Sequence, residues 1–272
     1  MTLPNGDATW RGYTMGASAT RKALWSPTEG LVGLGGPPRS PKDNPPPERL
    51  CDPCVPGWAV LGWRQITANS MAVLGADEMD DLAATMVDHE TIDEFVFHDA
   101  RRSASDLVVF AVADRCEYPL DALTHTQAEY RPSLQWLAAD PTIYSATATT
   151  QTFGGTPVAY ADLTVANAGN LASPSGRQWT LSITAHGTVT GPYVRITAHD
   201  EAVSWPALTL TDGQTLTVDA QRRSWVGALR VDGLIGDDFP NWPILRPGSQ
   251  TVRVGATTGT VSGSFVSRSS WT

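Results

Sequence analysis

From Pro141 to the C-terminus no stretch of this chain carries apolar residues at helical spacing, and that most constrains its fold. The second half offers alternation instead. In runs such as Leu208-Thr209-Leu210 and Leu216-Thr217-Val218 every second residue is apolar. Successive side chains of a strand point to opposite faces, so these runs predict strands with one buried side. The 24 glycines and 20 prolines supply turns between such strands, and only 17% of residues are charged. A chain of 272 residues can bury a stable core as one large or two medium domains. Its three cysteines, an odd number, do not make a disulfide framework.

The first half is less uniform. Strands are predicted at 58–68, 94–98, 106–117 and 130–138, with Asp140-Pro141 ending the run. One helix is predicted over 76–89, where Met79, Leu82, Ala83, Met86 and Val87 fall on one face. Asp77, Glu78, Asp80 and Asp81 lie in its first turns, where the helix dipole favours negative charge; that reading is preferred to a metal site. Between Pro37 and Pro56 lie 8 of the 20 prolines, so an extended arm or long loop is expected at 37–56. It is either a surface excursion or a clasp on a neighbouring subunit. The small polar run 145–151 suggests a boundary, giving units 1–150 and 151–272. Strands at 251–254 and 260–266 close the chain.

Around Asp212-Gly213 the alternation predicts a hairpin. A three-residue loop, Thr211-Asp212-Gly213, pairs Leu210 with Gln214 and keeps one apolar side, with Gly213 in a left-handed conformation. Placement of the two strands in facing sheets is the other arrangement that parity allows. Residues 239–248 read as a turn-rich connection, with Pro247-Gly248 at the centre of a type II turn.

The search for chemistry returns little. Cys51 and Cys54 have the spacing of half a zinc site, and Cys116 with His89 or His98 would have to complete it; two ordinary cysteines is the preferred reading. The histidines at 89, 98, 125, 186 and 199 include no pair three or four apart. Gly33, Gly35 and Gly36 lead into prolines rather than a helix, so they are no phosphate loop. Asp237-Asp238 reads as a turn. No enzymatic activity, cofactor or metal is expected.

Charge excludes one class of partner. The net charge is −9, and the adjacent basic pairs Arg21-Lys22, Arg101-Arg102 and Arg222-Arg223 are too sparse to grip phosphates. DNA could slide past such a surface without specific binding. No run is long and apolar enough for membrane insertion, and the first residues lack the pattern of an export signal; assembly in a cytoplasm is expected.

Five short motifs in the second half follow one another in a familiar order. Asn167, Gly169 and Asn170 stand in the first; Gly187, Gly191 and Pro192 in the second, over 184–196. Leu208–Leu210 comes next, then Asp212, Gly213 and Asp219, and finally Pro247 and Gly248 within 245–254. This series resembles the distal tail protein family of siphophages, the long-tailed phages, including minor tail proteins of actinobacteriophages. Residues 63–67 and 135–144 are similar to the same family; the proline-rich arm with Cys51 and Cys54 is not part of the likeness.

The resemblance implies a mainly β fold: an N-terminal split β-barrel with one α-helix, followed by a C-terminal galectin-like β-sandwich. It implies a homo-hexamer, a ring at the tip of the virion tail between the tail tube protein and the hub or tail-associated protein. The tape-measure protein and receptor-binding proteins are further candidate neighbours, and DNA passes through. The motif glycines and prolines report turns rather than a ligand site. A carbohydrate-binding module or receptor-binding adhesin on the same sandwich is the alternative, with Trp205, Trp225 and Trp242 as candidates to stack on sugars, although burial is the commoner fate of such rings. A secreted hydrolase is a third reading, opposed by the missing motifs.

Overall fold

A computed structural model of the chain describes residues 2–4, 6–16, 31–32, 64–69, 74–117, 130, 132–172, 177–199, 201–220, 223–233 and 242–271. The expected arm at 37–56 with Cys51 and Cys54, the glycines at 33, 35 and 36, the start of the expected strand at 58–63, His125, Asp237 and Asp238 lie outside those residues. The fold is mainly β, in two compact units, Met1–Thr147 and Ala148–Trp271.

The first unit contains β1 (Ala8–Trp10), β2 (Tyr13–Met15), β3 (Leu31–Val32), β4 (Arg64–Asn69), α1 (Ala76–Met86), β5 (Asp93–Phe97), β6 (Leu107–Glu117), β7 (Ser133–Ala138) and β8 (Ile143–Ser145). Its strands are ordered β2-β1-β5-β6-β7-β4-β3. Strand β6 is the spine. Its first half pairs with β5 on one edge and β8 on the other, and its second half pairs with β7. A register slip between Ala113 and Arg115 bends the spine, and the sheet curls into a half-barrel. Alternation along β5 and β7 turns Phe95, Phe97, Leu134 and Trp136 inward. Trp10, Phe95 and Trp136 meet at the centre, with the Phe95 and Trp136 ring centroids 4.7 Å apart.

Helix α1 packs on β6 and buries Met79, Leu82 and Met86, as the periodicity predicts, but Ala83 is half-buried and Val87, expected on the same face, follows the helix end and is exposed. Asp77 and Glu78 occupy its first turn, and Glu78 reaches back to the Gly75 amide. The helix stops at Met86 rather than at 89. Asp88 there accepts the amides of Glu90 and Thr91 at 3.0 Å each, a side-chain turn that competes with continued helix.

The second unit contains β9 (Thr149–Val158), β10 (Tyr160–Asn167), β11 (Trp179–Ile196), β12 (Glu201–Ser204), β13 (Thr209–Leu210), β14 (Thr215–Asp219), β15 (Ser224–Val226), β16 (Leu229–Arg230) and β17 (Gly248–Ser267). The strands expected at 251–254 and 260–266 are one strand, β17, of 20 residues. It pairs along most of its length with β11. Its first half also pairs with β10 and its second half with β9. Strand β11 carries β14 on its first half, β13 and β12 on its second.

Apart from the 3-10 turn Thr197–His199, this unit has no helix among the described residues. A sheet with one apolar face must cover it with another layer, so here the two halves of the sheet cover each other. Leu181 and Ile183 from one half of β11 share a single buried cluster with Val194 and Ile196 from the other. The inward parity changes between them, from odd to even residues. In β17 it changes from Val252 and Val254 to Val261 and Phe265. Both strands therefore lose their alternation at a corner; in β11 the register slips between His186 and Thr190, and the parity changes just beyond, at Gly191-Pro192.

The hairpin expected at 208–218 is not formed; its two strands both pair with β11 within the one folded sheet. Val189 opposes Leu210 and Thr184 opposes Thr215 in one unbroken register, so β13 and β14 are successive parts of one line along β11. Leu208, Leu210, Leu216 and Val218 share one parity, which a continuous strand keeps on one side without any reversal.

Candidate functional site

Most of the described motif residues fall into two clusters, both in the second unit. The first is the corner. Gly187 and Gly191 take φ of +78° and +59°, the left-handed region that glycine enters at least cost. The Gly187 amide donates to Asp212 Oδ1 at 2.8 Å, so the chain between β13 and β14 is tied to the bend of β11. A turn closes over Thr211–Gln214, with the Gln214 amide donating to the Thr211 carbonyl at 3.0 Å and Gly213 at φ +77°. The left-handed glycine is as predicted, but its turn is a detour within a strand. Gly191 donates to the Leu208 carbonyl, and the Pro192 carbonyl accepts the Trp205 amide at 2.9 Å.

The second cluster is a latch of buried polar side chains. Asn167, at the end of β10, is 1% exposed. Its Nδ2 donates to the carbonyls of Leu171 and Leu245, at 2.8 and 3.1 Å, while its Oδ1 accepts the amides of Gly169 and Ser270, each at 3.0 Å. At Gly169 a β-carbon would lie 1.8 Å from the Ser270 carbonyl oxygen, so only glycine fits. Gln178 grips Leu245 from the other side, donating to its carbonyl at 2.7 Å and accepting its amide at 3.3 Å. Glu201, with no side-chain exposure, accepts the Ile244 amide at 2.9 Å and pairs with Arg246 at 2.7 Å. Burial pushes the Glu201 carboxyl above its ordinary range, against the opposing pull of Ile244 and Arg246. Trp179 Nε1 donates to the Pro243 carbonyl.

The segment read as a turn-rich connection is thus partly core: Trp242, Ile244 and Leu245 are buried, and side chains rather than a ladder satisfy its backbone. Gly248, the first residue of β17, has a positive φ of +100°, as the Pro247-Gly248 turn would require of it. Asp219 stands apart, chelating its own chain through Arg223 Nε at 2.8 Å. Asn170 lies in the bend after β10, outside both clusters. Gln178, Glu201, Arg246 and Ser270 escape sequence reasoning. Glu201 alone left a signal, since it alternates with Val203 on the inward side of β12.

The side chains of these clusters hold backbone groups of their own chain. Among the described residues no group of three or more His, Cys, Asp or Glu side chains could hold a metal ion. His89 Nδ1 lies 2.8 Å from the Ala113 carbonyl, and His98 Nδ1 lies 3.1 Å from Asp106, so each ring is engaged elsewhere than at Cys116. Burial pushes the Cys116 thiol up, away from the reactive thiolate. Arg64, 1% exposed, donates to the Pro141 carbonyl at 2.8 Å, and burial pushes its guanidinium down to about 10. Of the candidate sugar-stacking rings, Trp205 and Trp242 are buried; Trp225 is half-buried with Arg223 5.7 Å from its ring centre. No helix among the described residues is long and apolar enough to cross a membrane.

What remains, among the described residues, is a mainly β architecture with one α-helix: a curled half-barrel sheet, and a second sheet folded on itself. The crystal structure of the SPP1 Dit protein, a paradigm of the hub adsorption apparatus in phages infecting Gram-positive bacteria, is similar in fold. The likeness covers 96% of this chain and 98% of that one, with a TM-score of 0.52 and 11% sequence identity. A chain of the phage p2 baseplate, in its activated conformation with Sr, aligns over 77% of this chain and 83% of its own at 9% identity, but its TM-score of 0.33 is too low to bear on the fold. No protein-family model matches the sequence, and no curated protein matches it.

Proposed function

We propose that this chain is a structural protein of the tip of a long, non-contractile phage tail. Its unit at 1–150 forms a ring, most simply of six copies, joining the tail tube to the hub or baseplate. The unit at 151–272, a galectin-like sandwich made by the folded sheet, is a platform on which other tip or receptor-binding proteins attach. DNA passes through the ring without specific binding. The protein is not an enzyme and takes no cofactor.

The observation that carries this reading is the extent of the likeness to SPP1 Dit, which runs through both units in order and nearly the whole of each chain. The ordered motifs from Asn167 to Gly248 support it independently, because the corner and latch they build are determinants of fold. Rings are made from heterologous contacts that close by rotation, and a strand-rich, charge-poor subunit with ten tryptophans suits large permanent interfaces.

The test is electron microscopy of intact virions, beside negative-stain images and light-scattering mass of the purified protein. Sixfold rings at the end of the tail tube, or purified particles near six times 29.1 kDa, support the reading. A map placing this chain elsewhere in the particle, or as a solitary copy, overturns it.

A further inference from the structure

The loop after α1 presents two bare apolar side chains from a braced frame. Val87 is 71% exposed and Ile92 51%. Between them the Asp88 carboxylate holds the Glu90 and Thr91 amides at 3.0 Å each, which closes the loop; the Thr91 side chain, with these amides, holds the Asp88 carboxyl near 2. Val87 and Ile92 stand one residue outside that closure on either side. Arg11, at the turn between β1 and β2, braces the loop from beneath. It donates to the carbonyls of Thr85 and Thr91 at 3.1 and 3.3 Å and pairs with Asp88 at 3.4 Å and Asp93 at 3.3 Å. A loop held this firmly loses little freedom on binding, and exposed apolar side chains on a rigid base are what a partner covers.

The surroundings say what kind of partner. Residues 77–94 hold eight acids and no lysine or arginine; Arg11 pairs with two of the eight, Asp88 and Asp93. A complementary socket is therefore apolar at its centre and basic at its rim. Among the described residues, another copy of this chain offers no such rim. Its exposed arginines among the described residues, at 101, 115, 223, 230 and 246, are each already paired with a carboxylate of their own chain. The chain as a whole carries −9.

We infer that Val87 and Ile92 form a docking knob for a different protein, one presenting an apolar socket rimmed by lysine or arginine. The inference rests on the tail-tip reading in one respect: the partner is sought among the other proteins of the virion.

The experiment places a benzophenone amino acid at position 92 in the phage-encoded protein, with position 160, exposed in the second unit, as control. Particles are purified, irradiated and analysed by mass spectrometry. The expected result is a cross-link from position 92 to a different virion protein, within a lysine- or arginine-bearing surface. Glu90→Lys should lower its yield several-fold, and more at low salt than at high salt. Cross-links to another copy of this chain, or none from position 92 while the chain is present in the particle, overturn the inference alone. Absence of the chain from purified particles overturns the tail-tip reading, and the inference falls with it.

Discussion

Arg246 places Nη2 2.7 Å from Oε1 of Glu201, a carboxylate buried without any side-chain exposure. Taking an acid out of water disfavours its charged form, and here burial outweighs the arginine, leaving the carboxyl above its ordinary range. The folded chain then holds a proton at pH values where the unfolded chain has released it. The contribution of this group is fully present below the unfolded value and fades as pH rises through the folded one. Urea unfolding from pH 4 to 7 should therefore show a component of stability that declines with pH in the natural protein and is absent in Glu201→Gln. Arg246→Ala leaves the buried carboxylate without its cation, and should cost about 1–3 kcal/mol at neutral pH, the lower end reflecting the half-exposed arginine. Equal pH slopes in the natural protein and Glu201→Gln would rule this account out.

The latch makes a sharper chemical distinction. Asn167 uses its amide nitrogen and its oxygen on different partners, so its two near-isosteres are not equivalent. Asn167→Ala leaves buried amides and carbonyls short of partners and should cost about 2–4 kcal/mol. Asn167→Asp keeps the acceptor for Ser270 but points a carboxylate oxygen at the carbonyls of Leu171 and Leu245, and should be at least as damaging at pH 7. Lowering the pH should partly rescue the aspartate variant and leave the alanine variant unmoved. Thermal unfolding at two pH values decides it.

Local pattern reaches some of this structure and not the rest. Alternation locates β5, β6 and β7 to within a residue or a few at each end, and the period of Met79, Leu82 and Met86 locates α1, because both signals reflect one buried face. The same alternation misleads at 211–214, where Asp212-Gly213 carries the chemistry of a hairpin turn. The shared parity of Leu208, Leu210, Leu216 and Val218 is the better guide, since it is what an unbroken register preserves. The latch is hidden for a different reason. Its bonds join Asn167 to Leu245 and Gln178 to Leu245 across the sequence, and a buried polar residue is recognisable only once its distant partner is known. The motif glycines were legible as turn formers. That Gly187 answers to Asp212 was not.

The corner glycines separate backbone freedom from crowding. Gly213 has a left-handed φ but open space where a β-carbon would go, so Gly213→Ala should cost only about 1–2 kcal/mol of conformational strain. Gly191 has a similar φ, and its β-carbon would lie 2.5 Å from Thr257 Oγ1. Gly191→Ala should therefore be the worse of the two, and Thr257→Ser should not relieve it because the hydroxyl remains. Denaturant midpoints for the three variants test the order, and equal losses at the two glycines would contradict it.

Arg11 joins the first hairpin of the chain to the far end of α1. It sits in a two-residue turn at φ +46°, with Gly12 at +80°, the conformation of a type I′ turn. From there its guanidinium lies 5.0 Å from the centre of the Trp10 ring, while Trp10 Nε1 donates to the same Thr85 carbonyl that Arg11 uses. Arg11→Ala should cost about 1–3 kcal/mol, and Arg11→Lys should recover little, because one ammonium cannot reach two carbonyls and two carboxylates in these directions. Arg11→Gly would ease the turn while removing the clasp, and should still be destabilised if the clasp matters more. The carboxyl of Asp88 gives an independent readout. It is held near 2 chiefly by Thr91 and Glu90, with Arg11 the smallest contributor, so it should stay well below its ordinary range in Arg11→Ala. A depressed acid stabilises above its unfolded value and loses that contribution as pH falls through the folded one, here from about 4 towards 2. An NMR titration of the Asp88 side chain in Arg11→Ala that returns to the usual carboxylate range would mean that the arginine, not Thr91 and Glu90, sets the charge beside Val87 and Ile92.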